Sequence, residues 1–196
     1  YFGWGPQGVF WAITLAFSAA AYAQAPTWTV PEESKRCPSK CGAADERGSG
    51  NHQKPAAVMN AAKLIKTGEV IELAHVLGPS MAFLGTRRFD MHTKRTFPRY
   101  VKSCPGIGVP AALWLAAKDP MLLGADNWPV EVSPNPDKQL SLPVHQIALV
   151  VNGIHLLENL KLDELAQKGV GEFAFVMQPL KIQGGSGSTV SPIAVR

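Results

Sequence analysis

"LPVHQIALVVNGIHLLENL", residues 142–160, is an apolar run broken by two histidines, an Asn-Gly pair and one glutamate. Pro143 suits the first turn of a helix, where its missing N–H costs nothing, and Gly153 suits the stop. "PVHQIALVVNG" therefore predicts a helix, with "IHLLENL" a strand directly behind it. Side chains alternate along a strand, so Ile154, Leu156, Glu158 and Leu160 share one face. Glu158 then stands in an apolar row, where an unpaired carboxylate is expensive. Either it holds a cation, or it sits exposed at the strand's end beside Asn159. His145 opens the helix and can turn back toward Glu158, whereas His155 has the opposite parity and is the poorer partner.

The flanking sequence follows the same logic. "LDELAQKG" reads as a helix and "EFAFVMQPLKI" as a strand. Upstream, "PAAVMNAAKLIKTG" predicts a helix opened by Pro55 and ended by Gly68, with Val58, Ala61, Ala62 and Ile65 on its inner face. "EVIELAHVL" alternates as a strand with Ile71, Leu73, His75 and Leu77 on one side, which makes His75 a core histidine. "GIGVPAALWLAAKDP" is a helix begun near Pro110, "MLLGAD" a short buried strand, and "NWPVEVSPNPDKQLSLP" a proline-rich loop. Strands alternating with helices argue for an α/β domain.

Composition excludes little: 46% hydrophobic and 17% charged residues suit one globular domain, and a net charge of +4 is only mildly basic. Most of the basic excess lies in "TRRFDMHTKRTFPRYVK", where cations are interleaved with Phe89, Phe97 and Tyr100. Such a strip can bind nucleic acid, but no recognised binding motif accompanies it, so the reading is a solvated strand face and no nucleic-acid partner. Asp90 and His92 share that polar face. "GGSGS", residues 184–188, lacks the Lys-Ser/Thr ending of a phosphate loop, and no G-x-S-x-G elbow is present.

"VFWAITLAFSAAAYAQA" reads as a secretory h-region with an Ala21-Tyr22-Ala23 cleavage site. Residues 1–23 are thus expected to be a signal peptide and the mature chain periplasmic or secreted, with no membrane association after cleavage. Residues 24–54, rich in Pro, Gly, Ser and charge, read as an extended arm. Cys37 and Cys41 within it stand in C-x-x-x-C spacing, which an oxidising compartment could close as a local disulfide; Cys104 is left over.

Several stretches resemble one known family. "AAKLIKTGEVIELAHVLGPSMAFLGTRRFDMHTKRT", "LLGADNWPVE", "LPVHQIALVVNGIHLLENLKLDEL" and "EFAFVMQPLKIQGGSGSTVSPIAVR" are similar to the cyclase family of metal-dependent hydrolases. That family includes bacterial kynurenine formamidase, an enzyme of tryptophan catabolism, and isatin hydrolase; the arm "CPSKCGAADERGSGN" resembles its exported branch. The resemblance covers residues 55–196. It implies a swivelling β/β/α fold, a zinc or manganese site, a small aromatic or cyclic amide or ester as substrate, and a homodimer. Carried over residue by residue, His145 and Glu158 match metal ligands, with the spacing between them one residue longer than in the family. Phe83 matches the aromatic residue lining the substrate pocket. In intact relatives the metal lowers the pKa of bound water for attack on the carbonyl, and a histidine delivers the proton to the leaving nitrogen.

One departure is large. The family's H-x-G-T-H-x-D motif, which supplies most metal ligands and the proton-transfer histidine, is nowhere in this sequence. The segment that would carry it is missing near residues 97–100, so an incomplete core and marginal folding are expected. The resemblance therefore implies an arylformamidase-like hydrolase. The alternative is a non-catalytic exported paralogue that binds small molecules.

Overall fold

Proline sets where three of the described helices begin. The computed structural model describes residues 28–36, 40–76 and 103–196. The signal region, Cys37, Leu77, Phe83 and the basic strip with Asp90 and His92 lie outside them. After a four-residue helix α1 (Glu33–Arg36), α2 (Pro55–Ala62), α3 (Val109–Ala116) and α4 (Pro143–His145) each carry proline in the first turn. There the absent N–H is one that no helical carbonyl could have accepted. α4 runs straight on into a π-helical turn, Gln146–Val151. The Asn152 side-chain amide donates to the Ile147 carbonyl at 2.7 Å, and Gly153, at φ +63°, turns the chain out.

Two small sheets follow. Strand β2 (Leu122–Gly124) pairs in parallel with β3 (His155–Leu157), with α4 and the π-helical turn in the crossover between them. Strand β1 (Val70–Glu72) and β4 (Ala174–Val176) flank β5 (Ile193–Val195), both antiparallel to it. Helix α5 (Asp163–Gln167) lies between β3 and β4 in sequence. The mixture of helix and sheet agrees with the α/β expectation, although the larger sheet is antiparallel. The Leu73 carbonyl, just past β1, accepts the Lys161 N–H at 2.9 Å and so links the two sheets.

The core is built where the sheets meet. Ile71, Leu73, Leu157, Leu160, Leu165 and Ala194 are buried together, with Phe173 and Phe175 half-buried against them. Each large aliphatic chain so buried contributes about 1.5–3 kcal/mol. A second cluster joins Ala112 of α3 to Val144 and Ile147, and fixes the helix that carries His145.

Four local expectations change. No residue of α2 is buried, and Val58 is 53% exposed, so the helix forms without the inner face its spacing implied. His75 is exposed, because β1 ends at Glu72 and the buried alternation stops at Leu73. β2 is half-buried rather than buried. β3 lasts only three residues, and Leu157, not Leu156, enters the core.

The stretch expected to be an extended arm, residues 24–54, holds α1 and, over residues 40–54, a set of turns packed on the domain. A 3₁₀ turn, Gly48–His52, lies on the end of the π-helical segment, and the buried Ser49 donates its N–H to the Gly153 carbonyl at 2.7 Å. Both glycines are required. A Cβ on Gly48 would stand 2.5 Å from the Gly153 oxygen, and one on Gly153 would stand 3.0 Å from Gly48 Cα. Asp45 organises the turn by accepting the Gly48 N–H at 2.9 Å and the Asn51 side-chain amide at 2.6 Å. Cys41 Sγ lies 3.7 Å from the Gly48 carbonyl, and Cys104 is buried. Among the described residues, no helix is long and apolar enough to cross a membrane.

Candidate functional site

The first turn of α4 has two backbone donors to satisfy, since Pro143 has none. Both go to a residue of the stretch expected to be a proline-rich loop. Glu131, fully buried, accepts the Val144 N–H at 3.1 Å and the His145 N–H at 3.0 Å. A carboxylate at the positive end of a helical turn is favourably placed.

The segment that carries Glu131 is pinned on both sides. The Ile107 N–H donates to the Val130 carbonyl at 3.2 Å, and the Ile107 carbonyl accepts the Val132 N–H at 3.0 Å. Cys104 and Ser133 exchange both backbone bonds, at 2.7 and 2.9 Å. The two segments press so close that a Cβ on Gly106 would lie 2.2 Å from the Glu131 carbonyl carbon.

From this mount Glu131 Oε1 also reaches the His145 ring, 2.5 Å from Nδ1. The other ring nitrogen, Nε2, lies 3.2 Å from Glu158 Oε1. The imidazole therefore bridges two carboxyl groups, one fully buried and one with its side chain 20% exposed. Hydrogen bonding to Glu131, and then to Glu158, pulls the imidazole up to about 9 against the opposing effect of its burial. Both carboxyl groups thus favour the protonated form of the ring.

Glu158 arrives by a different route from the one its parity implied. It follows β3 rather than belonging to an alternating row, and Asn159 after it takes a left-handed conformation, φ +57°. The Ala125 N–H donates to the Leu157 carbonyl at 3.0 Å, and the Asn159 N–H donates to Asn127 at 2.9 Å, so the β2 extension holds the chain on both sides of Glu158. The two sequence-derived ligand candidates, His145 and Glu158, are thus brought together. Phe83, the third site candidate, lies outside the described residues. His155 faces elsewhere: its Nε2 lies 3.0 Å from the Arg47 carbonyl oxygen.

Sequence reasoning missed Glu131. The available signal was "PVEVS", a glutamate between two valines in a short alternation, which the surrounding prolines disguised as loop. Among the described residues no three His, Cys, Asp or Glu side chains are grouped so as to hold a metal ion. A separate apolar cavity of about 610 Å³ opens beside Leu157, Leu165 and Phe173, and no titratable group among the described residues lines it.

No family model and no curated protein sequence matches this chain. Among solved structures, one described as a novel cyclase superposes with a TM-score of 0.64 at 17% sequence identity, covering 80% of this chain and 98% of that one. At that identity the likeness concerns architecture, and the fold of this chain is cyclase-like.

Proposed function

We propose that this chain is built on the site of a divalent-metal hydrolase acting on amide or ester bonds of small aromatic or cyclic compounds, and that His145 and Glu158 form one wall of that site. The observation that carries the proposal is the 3.2 Å approach of His145 Nε2 to Glu158 Oε1. Two ligands bonded at 2.0–2.2 Å to one tetrahedral ion lie about 3.3–3.6 Å apart, so a small opening of the pair lets both share an ion. The cyclase-like fold supports the same class, by analogy of architecture.

The donor set fits an ion such as zinc or manganese on this side. A bound ion there supplies Lewis-acid polarisation of a scissile carbonyl and activation of water. The protein's own part is to present Nε2, which must first give up its proton, and to hold Glu158 Oε1 beside it. Phe83 is assigned to the substrate pocket on the family resemblance alone. Catalytic zinc sites ordinarily present three protein ligands, and the described residues provide two. Turnover is accordingly expected of a chain that also carries the H-x-G-T-H-x-D ligands, and this sequence is expected to bind metal weakly with arylformamide hydrolysis at background.

Equilibrium dialysis against zinc and manganese, with elemental analysis and an arylformamide assay, tests this. Glu158→Gln and His145→Ala should each lower metal uptake, because an amide is a poor ligand and alanine is none; His155→Ala should not. In a version with the missing segment inserted, the same two substitutions should lower metal content and hydrolysis together. Equal uptake by all four chains would sink the assignment. Stoichiometric zinc with turnover by the present chain would refute the half-site reading.

A further inference from the structure

Resting on that reading of the wall, we infer that Glu131 is the positioning residue that decides which nitrogen of His145 faces the ion. A histidine ring on a single bond can present either nitrogen, and the one it presents depends on what holds the other. Here Glu131 Oε1 binds Nδ1 at 2.5 Å and the backbone N–H of the same residue at 3.0 Å. Its Oε2 takes the Val144 N–H at 3.1 Å. Three bonds from two adjacent residues fix the plane of the carboxyl group, and the carboxyl group fixes the rotation of the ring.

The mount is as informative as the bonds. A fully buried glutamate is costly to keep, and this one sits on a backbone ladder to residues 104–107 that admits no Cβ at Gly106. The cap position itself is Leu142, which is left-handed and offers no side-chain oxygen. What a local cap could not do is reach Nδ1. The geometry therefore keeps the proton on Nδ1 and directs Nε2 to Glu158, as the outer carboxylate does in carboxylate–histidine–metal arrangements.

The test uses the full chain with labelled histidine. In the metal-free protein the Nδ1 proton of His145 should resonate strongly downfield, as a short charge-assisted bond requires. Zinc should shift the Nε2 nitrogen signal and leave Nδ1 protonated. In Glu131→Gln the downfield proton should vanish, zinc should perturb both ring nitrogens, and zinc affinity should fall roughly 10–100-fold. In a His145→Ala background the same Glu131→Gln change should have no further effect on affinity, since Glu131 acts through the ring. A merely structural cap would lower stability in both backgrounds and leave the nitrogen pattern alone. No downfield proton in the wild-type chain overturns the inference without recourse to any variant, as does a folded Glu131→Gln chain with unchanged affinity and ring signals. A downfield proton present in a chain whose Nε2 ignores zinc leaves Glu131 as the ring's anchor and refutes the metal wall instead.

Discussion

Glu131 Oε1 holds His145 at two points, the backbone N–H at 3.0 Å and ring Nδ1 at 2.5 Å. Backbone and side chain of one residue thus answer to a single oxygen, and any displacement of that oxygen moves helix start and imidazole together. Burial makes the dependence strong, because no water can take the place of the carboxyl group.

Glu131→Ala is expected to be among the most damaging single changes in the described residues. It strands the Val144 and His145 N–H groups and leaves the imidazolium without its nearest counter-charge. Breaking such a buried pair costs roughly 3–5 kcal/mol. Urea unfolding should show a lower midpoint at constant slope. A shift equivalent to less than 1 kcal/mol, roughly a surface mutation's effect, would contradict the burial argument.

Gly48→Ala and Gly153→Ala should each destabilise by about 1–3 kcal/mol, since both residues have positive φ and their backbones touch. Gly187→Ala, where a Cβ meets nothing, should stay within about 0.5 kcal/mol. Equal thermal shifts for the three variants would show that the contact between residues 48 and 153 does not form.

His155→Ala should release the Arg47 carbonyl and loosen the turn over residues 45–52. The loss is about 1 kcal/mol, one ordinary hydrogen bond. Limited proteolysis should cut near residues 45–52 faster than in the wild type. Unchanged cleavage would mean that the ring does not tether this turn.

Glu69 should contribute to the acid sensitivity of the antiparallel sheet. Lys168 and then Arg196, which approaches to 2.5 Å, hold its carboxyl below the ordinary value of 4.5. A depressed folded pKa stabilises above the unfolded value and is lost as pH falls through the folded one. Hydrogen-exchange protection of the Arg196 amide, which donates to the Glu69 carbonyl at 3.1 Å, should therefore drop on acidification below about pH 4.5. Glu69→Gln should flatten that dependence; an identical pH response in both chains would overturn it.

What the sequence disclosed was the chemistry that acts locally. Pro55, Pro110 and Pro143 mark helix starts because each lacks an N–H, and Gly153 and Gly169 mark exits because each adopts positive φ, whereas the helix expected to run to Gly68 stops at Ala62. His145 and Glu158 were legible as candidates because polar groups stand out in an apolar run. Their meeting, however, depends on the left-handed Asn159 and on hydrogen bonds to Ala125 and Asn127, and strand parity alone does not contain those. Glu131 was hidden for the same reason: its burial is enforced by Gly106 and Ile107, far from it in sequence. Strand β5 escaped notice because its three residues acquire their partners only across the whole domain.

That strand has a consequence for how the chain is made. β5 is the middle member of its sheet, yet it leaves the ribosome after both of its neighbours. Among the described residues β1 and β4 do not pair with each other, so each lacks its partner in this sheet until Ile193–Val195 arrives. Non-local pairing of this kind is slow, and exposed edges during the wait favour association between nascent chains. Completion of this sheet therefore waits on β5, and slowing synthesis between β4 and β5 should lengthen the vulnerable interval rather than relieve it.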